Sequence, residues 1–195
     1  MIQQINYSNY ITTLYHSDRY LDSYKKVIYT HSLKYEHSSE IYLEPFNSII
    51  DLNNIDYYAY GLIFDIYNSK ICPLDIDGEN FDCIQSQCNI LIQDSSINDI
   101  DVVLTSHRHY HIILGLKNYS SINTLLRSYD FLCAGFKNLS SQRGYCIIRT
   151  SPKYTSQGQK DHLRYLLGYR KEKDVIWICE KFINENKSKG INLRD

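Results

Sequence analysis

The segment Val102-Val103-Leu104-Thr105-Ser106-His107-Arg108-His109-Tyr110-His111-Ile112-Ile113-Leu114 constrains the fold of this chain more than any other. Two apolar runs rich in β-branched residues flank a short polar stretch, which leaves room only for a tight turn. The expected elements are a strand over Asp101–Thr105, a turn, and a second strand over Tyr110–Leu116. Such a pair points to a largely antiparallel sheet, because parallel neighbours need long crossovers.

The rest of the chain supplies partners for that hairpin. Tyr57–Ile66 is rich in aromatic and β-branched residues and predicts a strand. Ile71–Ile76 predicts another, entered after the polar turn Asn68-Ser69-Lys70, so the two are expected to pair as a hairpin. Asn80–Gln93 carries Phe81, Ile84, Cys88, Leu91 and Ile92 near helical spacing. Ser121–Phe136 predicts a helix with Ser121 as N-cap and a stripe of Ile122, Leu125, Leu126, Tyr129 and Cys133. Tyr145–Thr150 predicts a strand stopped by Pro152, Asp161–Tyr169 a helix, and Val175–Phe182 a strand or short helix. Nearer the start, Asp18–Tyr29 has helical spacing, and Glu40–Ile50 is ambiguous and broken by Pro45. The class is α+β, with a mainly antiparallel sheet and flanking helices.

At 195 residues, with 43 % hydrophobic and 22 % charged residues, one soluble globular domain is expected. The 184–195 stretch is a polar tail. No apolar run reaches the roughly 18 residues of a membrane span, and Met1–Asn6 lacks the pattern of a signal peptide. The six cysteines are scattered without a Cys-x-x-Cys pair, which argues against a zinc knuckle and for reduced, mostly buried thiols in a cytoplasmic protein. The nineteen tyrosines fit a drift of the whole composition toward Tyr, Ile, Asn, Ser and Lys, although some could stack on bases.

The net charge of −1 hides a segregation. Residues 36–101 hold thirteen acids and one lysine, whereas residues 137–173 hold nine basic residues and two acids. The basic part suits a polyanion or nucleotide, the acidic part suits cations or solvent, and two solvated faces of opposite sign are the plainer alternative.

Two aspartates stand inside the acidic part, in Pro73-Leu74-Asp75-Ile76-Asp77-Gly78. On a strand they project to the same face, where two carboxylates repel unless a cation lies between them. Paired Mg²⁺ or Mn²⁺ ions are the usual arrangement where a hydroxyl attacks a triphosphate. The alternative is an edge strand ending in a solvated Asp-Gly turn. In the later hairpin, Ser106, Arg108 and His111 can aim a hydroxyl, a guanidinium and an imidazole at one anion. Equally, His107, His109 and His111 could be an exposed strand end or a transition-metal site. Arg149 ends an apolar strand and needs a partner, either phosphate or a carboxylate such as Asp75, and Lys153 follows it. Asp130, between these motifs, is a candidate third metal ligand.

The order Asp75-x-Asp77, Ser106-x-x-x-Tyr110-His111, Asp130, Arg149 resembles the archaeo-eukaryotic primase and primase-polymerase superfamily, with Tyr145–Lys153 similar to a strand of its smaller plasmid and viral members. The resemblance covers about 57–153. It implies an RRM-like catalytic sheet over 57–183, with 1–56 as part of an N-terminal α/β accessory lobe. It also implies a DNA primase or polymerase that joins nucleoside triphosphates on a single-stranded DNA template. Asp75, Asp77 and Asp130 would hold Mg²⁺ or Mn²⁺. Ser106, Arg108 and His111 would bind the triphosphate, and Arg149 and Lys153 its charge. A helicase or other replication protein would be a partner. The chain departs from the pattern where His107 and His109 replace small glycines, and in the short gap from His111 to Asp130. Asp65 is a reserve third ligand.

Two other readings compete. His109-Tyr110-His111 also resembles the metal-binding strand of rolling-circle replication initiator nucleases, with Tyr165 or Tyr169 as the nucleophile on a helix. That reading leaves Asp75, Asp77 and Arg149 without a role. The other is a non-catalytic nucleic-acid-binding module.

Overall fold

The computed structural model describes residues 25–31, 39–43, 58–106, 108–149, 153–155, 158–160 and 165–177. These form an α+β fold in which every strand pairing is antiparallel. The strands are β1 (Lys25–His31), β2 (Ser39–Leu43), β3 (Tyr58–Asp65), β4 (Ser69–Asp77), β5 (Ile97–Ser106) and β6 (His109–Ser120). They continue with β7 (Tyr145–Arg149), β8 (Lys153–Thr155), β9 (Gly158–Lys160), β10 (Tyr165–Lys171) and β11 (Asp174–Trp177). The helices are α1 (Phe81–Leu91), α2 (Asn123–Ser128) and α3 (Ala134–Arg143). Among the described residues, no helix is long and apolar enough to cross a membrane.

The expected hairpin at 102–114 forms the middle of a five-stranded sheet ordered β11-β10-β5-β6-β4. Strands β4 and β5 each run antiparallel to β6 and hence parallel to one another, with α1 as the crossover. This is a split β-α-β unit. Asn80 starts α1 by accepting the Cys83 amide on its side chain at 2.8 Å. Phe81, Ile84, Cys88 and Leu91 bury the inner face of the helix. Phe81 meets Trp177 of β11 edge to face, with ring centroids 5.3 Å apart.

Strands β3 and β4 do not form the expected hairpin. Strand β3 belongs to a four-stranded sheet, β2-β1-β3-β7, and β4 to the five-stranded one. Burial explains the split. Leu62, Phe64 and Ile66 are buried, and Ile71 to Leu74 are buried on both faces of β4. Strands apolar on both faces need cover on each side, which a two-stranded, half-solvated ribbon does not give, and here each is taken into a larger sheet, β3 beside β1 and β7 and β4 beside β6. The crossing at Ile66 is tied down by distant backbone. Its amide donates to Gly144 at 3.2 Å, and its carbonyl accepts from the amide of Asn123 at 3.1 Å and the Ser121 hydroxyl at 3.3 Å.

Three helix expectations change. Ser121–Phe136 is two helices, α2 and α3, separated by a turn at Tyr129–Cys133. There the Ser128 hydroxyl bonds the Leu125 carbonyl at 2.9 Å, and the Cys133 amide leaves the helix ladder for the Asp75 carbonyl at 2.9 Å. Within Asp161–Tyr169, Tyr165 onward is strand β10, which buries Leu167 against the sheet and leaves Tyr169 outside. Sheet pairing with β5 overrides local helical spacing here. Gly168 also favours the strand, since a Cβ there would sit 2.8 Å from Trp177 Cε3. Similarly, the last five residues of the expected helix 18–29 belong to strand β1, Lys25–His31, which pairs with β2 and β3. From 175 onward the chain is strand to Trp177. Residues 18–24, 161–164 and the 184–195 tail lie outside the described residues.

Candidate functional site

Asp75 and Asp77 end β4 on one face, and β6 lies alongside in the register Asp75 opposite His111 and Asp77 opposite His109. The shared period of two sets both imidazoles on the same face as both carboxylates. His109 Nδ1 is bonded to Asp77 Oδ1. His111 Nε2 lies 3.4 Å from Asp75 Oδ1. The outer pair is about half open to solvent, whereas His111 is nearly buried.

The third member comes from the break between α2 and α3. Cys133 Sγ and one oxygen each of Asp75 and Asp77 all lie within 4.8 Å of one another. Two backbone bonds fix Cys133, from its amide to the Asp75 carbonyl at 2.9 Å and from the Lys137 amide to its own carbonyl at 3.0 Å. Burial tends to raise the Asp77 carboxyl. The hydrogen bonds from Cys133 and His109 and the positive charge of His109 and His111 outweigh it, so Asp77 is held below the usual range. Burial pushes the Cys133 thiol up. The Phe136 amide works against that, while Asp77 and Asp75 push the thiol further up.

The turn of the hairpin docks onto the same end of β4. The Gly78 amide donates to the Arg108 carbonyl at 2.8 Å. Gly78 has φ +81°, which glycine adopts freely, and Arg108 φ +56°, which costs a residue with a side chain, so the two chain reversals meet at a corner with its strain at Arg108. The Arg108 side chain is exposed there.

The other sequence candidates are distributed as follows. Asp130 is exposed in the turn between α2 and α3, not on a helix, and is not one of the clustered ligands. Asp65, the reserve ligand, sits at the opposite end of β4 and caps a turn, accepting the amides of Tyr67 at 2.7 Å and Asn68 at 3.3 Å. Arg149 ends β7 opposite Gly61 of β3. It forms no ion pair with Asp75, and its Nε is buried without a hydrogen-bond partner among the described residues. Tyr165 and Tyr169 lie on a strand rather than on a helix. The side chains of Ser106, Lys153 and Tyr165, and all of His107, lie outside the described residues. Sequence reasoning missed Cys133 as a member of the site, because nothing in its spacing marks it. The Asp–His pairing was within reach, through the matched i, i+2 spacing on two strands.

No protein-family model matches this chain, and no curated protein or solved structure does either.

Proposed function

We propose that this chain is a metal-dependent nucleotidyltransferase of the primase-polymerase kind, joining nucleoside triphosphates on a single-stranded DNA template. One observation carries the reading: Asp75 and Asp77 share a face at the end of β4, each beside an imidazole from the neighbouring strand. Two carboxylates held this way suit a divalent cation, Mg²⁺ or Mn²⁺, better than they suit each other. Bound there, such a cation supplies charge neutralisation for phosphate oxygens.

The chain's own residues do the remainder. Arg108, Ser106 and His111 grip the triphosphate, and Arg149 and Lys153 neutralise further phosphate. The Arg149 Nε, buried and unpartnered among the described residues, supports that part. Asp130 assists from the rim. Catalysis is positioning plus charge stabilisation. The split β-α-β unit supports an RRM-like catalytic sheet, with residues 1–56 in an accessory lobe. A cytoplasmic setting and a helicase partner belong to the same proposal.

The test is strand synthesis from nucleoside triphosphates with Mg²⁺ or Mn²⁺, with and without a primer. The wild-type chain extends DNA, and the double variant Asp75→Ala, Asp77→Ala does not. Full synthesis by the double variant sinks the assignment. His109 and His111 on one face of β6 keep a rolling-circle nuclease as the second reading. A covalent protein–DNA adduct on a denaturing gel, lost in Tyr165→Phe or Tyr169→Phe, would establish it instead. Salt-sensitive DNA binding with neither activity would leave a binding module.

A further inference from the structure

The donor set at the end of β4 is not all oxygen. Two carboxylates and a thiol converge within 4.8 Å, and each comes from a backbone already fixed in place. Asp75 and Asp77 sit in the β4–β6 ladder, and the Cys133 amide is bonded to the Asp75 carbonyl itself. Cys72, Cys88 and Cys146 are fully packed core residues, but Cys133 is only partly buried. Its sulfur is directed to a polar cluster rather than to the apolar interior.

Ligand type selects the metal. Mg²⁺ takes oxygen donors in near-ideal octahedra, whereas a thiolate selects zinc-like ions. Bonds of about 2.0–2.3 Å bring tetrahedral ligands to about 3.5 Å from one another. Asp77 and Cys133 are both partly exposed, and reaching that spacing from within 4.8 Å asks their side chains to turn toward one point. Three protein ligands with one open position is the form of a catalytic rather than a structural zinc-type site. The imidazole beside each carboxylate completes the arrangement, because ligating carboxylates are themselves oriented by outer partners.

We infer that Asp75, Asp77 and Cys133 form a single carboxylate–thiolate site that takes a transition metal such as Zn²⁺ or Co²⁺ in preference to Mg²⁺, its fourth position open to water or a phosphate oxygen. Binding releases the thiol proton to solvent and leaves a metal–sulfur bond. The inference rests on the proposed reading only in that Asp75 and Asp77 hold a cation. It changes which cation, and it replaces the expected third acid with sulfur.

The test uses the full chain and Co²⁺ alone as the probe, followed by absorption spectroscopy, then Zn²⁺ and Mg²⁺ in competition. The wild-type chain gives a sulfur-to-cobalt charge-transfer band, and Zn²⁺ displaces Co²⁺ where Mg²⁺ does not. Cys133→Ser loses the band and binds Zn²⁺ at least about 100-fold more weakly, since loss of an outer partner alone costs about 10–100-fold. Asp77→Asn keeps the band at reduced affinity. Cys83→Ser, on α1, behaves as wild type. A wild-type chain with no such band, or a band untouched in Cys133→Ser, overturns the inference. Mg²⁺ or Mn²⁺ binding that is equal in wild type and Cys133→Ser, and absent in Asp75→Ala, Asp77→Ala, overturns it while leaving the nucleotidyltransferase reading standing. No divalent binding of any kind removes both.

Discussion

Asp77 of β4 and His109 of β6 face one another across the ladder, with the imidazole Nδ1 bonded to the carboxylate, and two register pairs away Asp75 faces His111, whose Nε2 lies 3.4 Å from the carboxylate. Each acid is therefore paired with a side chain of the adjacent strand, as cross-strand neighbours on one face of a sheet are.

Acid should unpick this brace. Hydrogen bonds and the neighbouring imidazoles depress the Asp77 carboxyl. A depressed carboxyl contributes stability above its unfolded value of about 3.9, and that contribution is lost as pH falls through the folded value. Urea midpoints of wild type and Asp77→Asn should therefore differ above about pH 4 and converge on further acidification. The difference will be small, because the Asp77 side chain is 42 % exposed. A gap that instead widened as pH fell would contradict the assignment.

Gly78→Ala should destabilise the fold without any clash. A Cβ there meets nothing within 4 Å, so the cost is that of φ +81° alone, about 1–2 kcal/mol. Gly78→Asn should recover part of it, since asparagine tolerates this region. Denaturant midpoints measure both. Equal losses for Ala and Asn would point to some other cause.

Arg149→Met separates structure from function. The Nε it removes is buried and unpartnered among the described residues, so stability should hold or rise slightly. Nucleoside triphosphate affinity, read by calorimetry, should fall about tenfold, equivalent to about 1.4 kcal/mol. Loss of fold stability with unchanged affinity would assign Arg149 to the scaffold.

Thiol labelling should follow the burial pattern. Burial pushes Cys88 up to about 12 and raises Cys72 and Cys146 as well. Alkylation of the native chain at mildly alkaline pH, mapped by mass spectrometry, should reach Cys83 and Cys133 well before these three. Denaturant should abolish the ranking among all five. Early modification of Cys72 would contradict its burial in β4.

Much of this architecture is legible along the chain wherever one local rule governs. The hairpin from Val102 to Leu114, the Asn80-capped helix and the strand ending at Arg149 each follow from periodicity with a cap or turn residue at the boundary. The same holds for Asp75 and Asp77, whose common face is a property of any strand. The failures are non-local. Strand β3 takes β7 and β4 takes β6 as ladder partners instead of each other, and both partners are remote in sequence. Helical spacing from Asp161 to Tyr169 yields to a ladder with β5. Cys133 reaches the carboxylates through one backbone hydrogen bond that no spacing announces.

The crossing at Ile66 has a consequence for dynamics. Its amide proton is held by Gly144, one rung beyond the Asp65–Tyr145 pair of β3 and β7, and its carbonyl by Ser121 and Asn123 at the start of α2. Solvent deuterium can enter at that amide only when the end of β3 parts from the junction between α3 and β7, however much β4 frays. The exchange rate at this one residue is thus a gauge of whether the end of β3 stays joined to the start of β7.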